Sequence, residues 1–265
     1  LQHDMEIVRN VSATLGARYT HHGTFGNNFT PKVSLMYAPG DFRFRAAYSR
    51  GFRAPGLDEL YYHYFKLMAG RPVITFGNSN LESEKSHYAS FSAEYSNRIF
   101  SLSVMGYMNF VKNMIVKENI AINDDNLQML KREFPEVTDA QFGKMTTYGQ
   151  YINANKGVVK GVQVNATVNV TPDLSLMANY AYTYGRSKTG GEWIALERTY
   201  KNSVTAAANY NHTWKMYTLN VNLNGRFQSR TFYPGYEDAP GYGVINLNTT
   251  HTFNVNRMFD IIPSV

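Results

Sequence analysis

The sequence contains no cysteine, so neither a disulfide framework nor a thiolate metal site is available to it. No apolar run approaches the roughly 18 residues that a spanning helix needs, and mean hydropathy is −0.38. Helical membrane spans are thereby excluded, but transmembrane strands are not, because their lipid-facing residues occupy only alternate positions. The signatures of nucleophile elbows, zinc proteases and phosphate-binding loops are missing, so an enzyme with a catalytic cofactor is not expected. A net charge of +6 is spread among aromatics rather than run together, which argues against a nucleic-acid partner. No leader opens the chain, and the alternation from the first residues onward suggests an internal piece of something longer.

What is abundant is tyrosine and phenylalanine, 20 and 16 residues, within period-2 patterns. From Met5 to Thr20 apolar odd positions alternate with polar even ones, which reads as one long strand. Val33, Leu35 and Tyr37 continue the theme, then Phe42 to Tyr48, Ala89 to Tyr95, Phe100 to Phe110 and Val162 to Val170. Leu174 to Tyr184, Val204 to Tyr210, Tyr217 to Phe227, Ile245 to Phe253 and a start at Phe259 complete about ten strands and the beginning of an eleventh. A short helix is expected over Asp124 to Phe134.

The connections alternate between short turns (39–41, 97–98, 171–173, 212–213, 254–257) and long loops (21–30, 50–85, 111–150, 185–202, 228–242). Outer-membrane barrels sort their connections this way. The polar face is rich in asparagine and threonine (Asn220, Asn222, Asn224, Asn246, Asn248) and poor in lysine and glutamate, as suits a lumen better than a bulk-solvent face. The expected fold is therefore all-β, an antiparallel up-and-down transmembrane barrel forming one partial domain over residues 1–265. Tyr19, Tyr48, Tyr184, Tyr210, Trp214 and Tyr217 suit its interfacial girdles.

The run Phe52-Arg53-Ala54-Pro55, Leu57 to Tyr61, then Gly77-Asn78-Ser79-Asn80-Leu81 and Glu84-Lys85-Ser86 resembles the TonB-dependent outer-membrane receptors. Ile152-Asn153-Ala154, Lys160-Gly161-Val162-Gln163 and Val244-Ile245-Asn246-Leu247 extend the likeness; Ser79 departs from the proline usual there. The resemblance implies roughly the second half of a barrel of about 22 strands, with the plug, the first half and the final strand absent. It further implies the outer membrane of a Gram-negative bacterium, surrounding lipid, and a TonB-type partner that acts through the plug to import a large iron-containing molecule.

In the haem receptors of that family, two such boxes flank a loop histidine, and His63 stands at that place. The resemblance implies His63 as an axial ligand to haem iron, with Tyr61, Tyr62 and Tyr64 stacking on the porphyrin. Arg53, Lys66 and Arg71 would pair with propionates, and His22 would supply a second contact. Haem or another ferric complex is thus the expected cargo. Cobalamin uptake and a passive barrel or binding module are the alternatives, and an ordinary loop role for His63 stays open beside the ligand role.

Overall fold

The computed structural model describes residues 1–68, 71–233, 237–256 and 259–261, with the backbone alone at Arg71, 254–256 and 259–261. Its strands are β1 (Gln2–Val8), β2 (Val11–His22), β3 (Gly26–Tyr37), β4 (Phe42–Arg53), β5 (His63–Met68), β6 (Arg71–Phe76), β7 (Glu84–Ser96) and β8 (Phe100–Ala121). They continue as β9 (Thr147–Asn169), β10 (Leu174–Thr189), β11 (Glu192–Ala195), β12 (Asn202–Trp214), β13 (Tyr217–Gln228), β14 (Tyr242–Asn256) and β15 (Phe259–Ile261). Among the described residues three helices interrupt them: α1 (Leu57–Tyr61), α2 (Asp124–Glu133) and α3 (Asp139–Phe142). The main sheet runs in chain order from β1 to β15, skipping β5, β6 and β11, and every neighbouring pair on that path is antiparallel. It is an open arc of an up-and-down barrel.

The turn expected at 212–213 falls at 215–216, since β12 runs to Trp214, and the loop expected over 50–85 contains the β5–β6 hairpin. Three larger details also differ from the sequence expectation. The first long strand is in fact a hairpin, β1 and β2, folded at Arg9-Asn10 with Asn10 in the left-handed region at φ 65°. The two-residue turn pairs Val8 with Val11, and a bulge between Glu6 and Val8 then restores the parity of alternation, so Met5 pairs with Ala13 on one face and the fold is invisible in the pattern. Second, the expected loop over 21–30 shrinks to residues 23–25, since β2 and β3 pair out to His22 and Gly26. Third, the expected loop over 111–150 is shortened at both ends: β8 and β9 stay paired up to Ala121 and Thr147, leaving α2 and α3 at their tip. A tilted strand spans a bilayer in about 9–11 residues, so the 22 and 23 residues of β8 and β9 project well past it.

The apolar faces of the strands carry no protein cover. Leu15, Val33, Leu35, Phe91, Val104, Leu176, Leu223, Ile245 and Leu247 are all exposed. The buried core lies instead at the long-loop end, where Ile74, Leu130, Phe134, Val137, Phe142 and Tyr148 form one cluster. Burial concentrates there because the arc turns its apolar side outward, as a barrel in lipid does.

Candidate functional site

The site is built on a weld between β4, α1 and the returning chain. Arg53 ends β4 and forks between two carboxylates, with Nε and Nη2 donating to Glu84 at 2.7 and 2.9 Å and Nη1 to Glu59 at 2.9 and 2.8 Å. Hydrogen bonding to Glu84, then Glu59, outweighs burial and holds the guanidinium pKa above its ordinary value. Glu59 also accepts from the Gly56 amide at 2.7 Å and lies with Asp58 in the first turn of α1, where the helix dipole favours negative charge.

The second box closes on the first. Asn78 donates from its backbone to Glu59 O at 2.8 Å and from its side chain to Tyr151 O at 3.1 Å. At Gly77 a Cβ would fall 2.5–2.6 Å from backbone atoms of Leu60, Tyr61 and Tyr62, so only glycine lets the two chains approach this closely. Asn153 then holds Glu82 from both sides, accepting from its amide at 2.7 Å and donating to its carbonyl at 3.0 Å.

Between the boxes, β5 and β6 form a hairpin, and β6 adds in parallel to the upper edge of β9 at Thr75 and Phe76. Against it packs α2, whose start is fixed by reciprocal bonds between Asn123 and Asn126 at 2.9 and 2.8 Å. Lys131 and Asp139, 2.6 Å apart, tie α2 to α3. The two long loops therefore form one packed body.

His63 opens β5 at the rim of that body. Its ring stacks on Phe134 with centroids 4.0 Å apart and 11° between planes, and meets Phe76 edge-on at 5.7 Å. Nε2 lies 4.0 Å from Glu133, and 47% of the side chain is exposed. Tyr62 and Tyr64 stack on each other at 5.3 Å, while Tyr61 and Lys66 are exposed beside them. Arg71 starts β6 opposite Met68, and its side chain lies outside the described residues. His22 sits apart, its Nδ1 accepting from the Thr24 and Phe25 amides at 3.2 and 3.3 Å to cap its own hairpin. Of the expected constellation, Tyr62 and Tyr64 stack on each other while His63 packs on Phe134 and Phe76 instead, Arg53 is bonded to protein carboxylates, and His22 closes a separate turn.

What the sequence did not single out is a cavity of about 870 Å³ at the same end, between the tops of β8 and β9 and the β10–β11 connection. Lys117, Glu118, Tyr151, Glu197, Arg198 and Phe232 are among its lining residues. Arg198 adopts φ 58°, and its amide donates to Phe232 O at 2.8 Å. Burial first, then the charges of Asp58 and Glu59, push the Tyr151 hydroxyl pKa up. Tyr151 thus joins the α1 weld to the cavity wall. Its sequence signal was its place just before Ile152-Asn153-Ala154.

Residues 1–261 match the family described as TonB dependent receptor-like, beta-barrel. The chain belongs to that family. Along 98% of its length it is 22% identical to the ferrienterobactin receptor of Escherichia coli, of which it covers 36%. Over 69% it is 26% identical to the ferric enterobactin receptor PirA of Pseudomonas aeruginosa, covering 24% of that protein. Over 82% it is 24% identical to the hemoglobin-binding protein A of Haemophilus influenzae, covering 21%. The crystal structure of the siderophore receptor PirA from Pseudomonas aeruginosa superposes with a TM-score of 0.67 at 19% identity, over 100% of this chain and 43% of that one. An enterobactin-bound mutant of the Pseudomonas aeruginosa ferric enterobactin receptor gives 0.69 at 17% identity, over 98% and 38%.

The chain therefore spans about a third or less of the length of the curated relatives it matches. Within this TonB-dependent receptor barrel, the Arg53 and Asn78 boxes have a physical role in the structure. They anchor α1 and the β5–β6 hairpin at the head of the arc.

Proposed function

We propose that the chain is the loop-bearing part of an outer-membrane receptor that takes up a ferric complex, driven through a TonB-type partner, in a Gram-negative bacterium. The observation that carries this reading is the family match over residues 1–261, together with relatives named for ferric enterobactin. The cavity beside Tyr151 and the exposed Tyr61, Tyr62 and Lys66 supply its binding surface, in which aromatic faces and the cations Lys66, Lys117 and Arg198 meet an anionic ferric chelate. The receptor binds and carries its cargo without catalytic turnover.

A second reading takes haem as cargo, favoured by the half-exposed ring of His63 and by the relative named for hemoglobin binding. The full-length receptor, expressed in a strain lacking its own ferric-complex receptors, decides between them. Growth on a ferric catecholate as sole iron source, weakened by Tyr151→Ala and untouched by His63→Ala, is the expected outcome. Growth on haem with a Soret shift lost in His63→Ala establishes the second reading. Growth on neither overturns both.

A further inference from the structure

Among the described residues three that are not glycine adopt positive φ: Asn10, Asn113 and Arg198. Asparagine tolerates the left-handed region because its short amide bonds to nearby backbone, whereas arginine has no such local compensation. At φ 58° Arg198 is therefore held by its surroundings rather than by its own preference. Its amide donates to Phe232 O at 2.8 Å, and the Phe232 amide donates back to Thr199 O at 2.9 Å. On the other side the Leu196 amide donates to Gly185 O at 3.2 Å, and Thr199 Oγ1 donates to Leu196 O at 2.6 Å. The segment 196–199 is thus clamped between β10 and the chain that leaves β13.

The kink redirects side chains. Consecutive residues of an extended chain point to opposite sides. Here the left-handed turn leaves Glu197 and Arg198 both lining the cavity of about 870 Å³, with Arg198 Nε 3.7 Å from Glu197 Oε1. Among the described residues Arg198 makes no other ion pair. Its side chain is 77% exposed, that of Glu197 only 31%. A contact of this length is longer than a hydrogen bond, and such an exposed pair contributes little. The charge of Glu197 reaches into the cavity: after burial, Asp58, Glu59 and Tyr62, it too raises the Tyr151 hydroxyl pKa. Lys117 and Glu118, the other charged residues of the lining, offset each other in net charge. The attraction that an anion meets there depends on whether Arg198 is free of Glu197.

We propose that Glu197 is an internal counterion that occupies Arg198 until an oxyanion of the cargo displaces it, which makes this pair the charge filter of the cavity. Charge-assisted, bidentate bonds from a guanidinium to an oxyanion outcompete an exposed and misaligned pair. A neutral chelate gains nothing by displacing Glu197, so the cost of freeing Arg198 is recovered only by an anionic one. The inference rests on the uptake reading above and deepens it by giving Glu197 a role in selection.

The test uses the full-length receptor in non-ionic detergent, titrated with a ferric tris-catecholate and followed by quenching of its intrinsic fluorescence. Glu197→Gln is expected to tighten binding about two- to fivefold, the range for an exposed ion pair removed. A neutral ferric trihydroxamate titrated alongside is expected to show no gain from Glu197→Gln. Arg198→Asn removes the charge and installs a residue that tolerates the left-handed region. It is expected to weaken catecholate binding about tenfold or more, as for a lost charge-assisted contact, with the melting temperature unchanged or raised. In the double variant Glu197→Gln, Arg198→Asn the gain from Glu197→Gln is expected to vanish, because the carboxylate acts through the guanidinium. A gain that persists without Arg198 makes Glu197 a general repulsive charge and overturns the proposal. So does a melting temperature that falls in Arg198→Asn in step with affinity, which marks a role in folding only. A folded receptor that binds no catecholate fails the uptake reading and this inference with it, whereas binding untouched by either substitution overturns the inference alone.

Discussion

His63 and Phe134 stack ring on ring, centroids 4.0 Å apart, although one opens β5 in the first long loop and the other ends α2 in the second. Phe134 itself is fully buried and also packs edge-on against Phe76. The contact joins two loops into one body, so the loops at this end cannot move independently without opening a core.

Phe134→Ala removes the centre of that core. A buried phenylalanine truncated to alanine costs about 3–5 kcal/mol, and here the loss falls on the loop body rather than the barrel. Hydrogen exchange is expected to speed up across 63–76 and 124–142 while the amides of β12 and β13 stay protected. Equal acceleration everywhere would show that barrel and loop body unfold together.

Gly77→Ala tests the close approach of the second box to α1. The added methyl meets backbone, which cannot swing aside, and overpacking of this kind costs about 1–3 kcal/mol. Limited proteolysis is expected to cut between Ala54 and Leu81 in the variant and not in the parent. Gly23→Ala, where a Cβ has open space around it, is the matched control.

Arg53→Ala leaves Glu59 and Glu84 facing each other without a cation. With 45% of the arginine side chain exposed, solvent screening reduces the loss to about 1 kcal/mol, seen as faster exchange of α1 amides. The raised arginine pKa favours the charged form, so its contribution is present below the unfolded value and is lost only above the folded one. Raising the pH to about 11, still below the ordinary arginine range, is therefore expected to leave the fork intact.

Tyr148 is buried in the loop core, and burial raises its hydroxyl pKa above the ordinary tyrosine value. A raised folded pKa means stability that is present below the unfolded value of about 10 and falls as pH rises toward the folded one. Absorbance titration near the tyrosinate band is expected to show a late-titrating tyrosine that disappears in Tyr148→Phe. The same substitution should make the loop body less sensitive to alkali. A titration identical to that of the parent would refute the assignment.

Most strands, their antiparallel order and four of the five long loops were legible in the sequence, because a sheet with one lipid face repeats its chemistry every second residue; the loop expected over 21–30 is instead a tight turn. Legible too was α2, whose Asn123 cap and acidic first turn are local signals. The β1–β2 fold was not, since the bulge between Glu6 and Val8 offsets the two-residue turn and leaves parity unchanged. The upper halves of β8 and β9 were missed because alternation weakens once a strand leaves the apolar layer.

By itself the sequence determined the barrel and the family, both written in local periodicity and short boxes. Only the tertiary structure decided what those boxes do, which loops pack together, and where Arg53, His63 and Arg198 find partners. Those depend on strand register and on chain segments far apart in sequence, where one residue of slippage would turn every side chain to the other face.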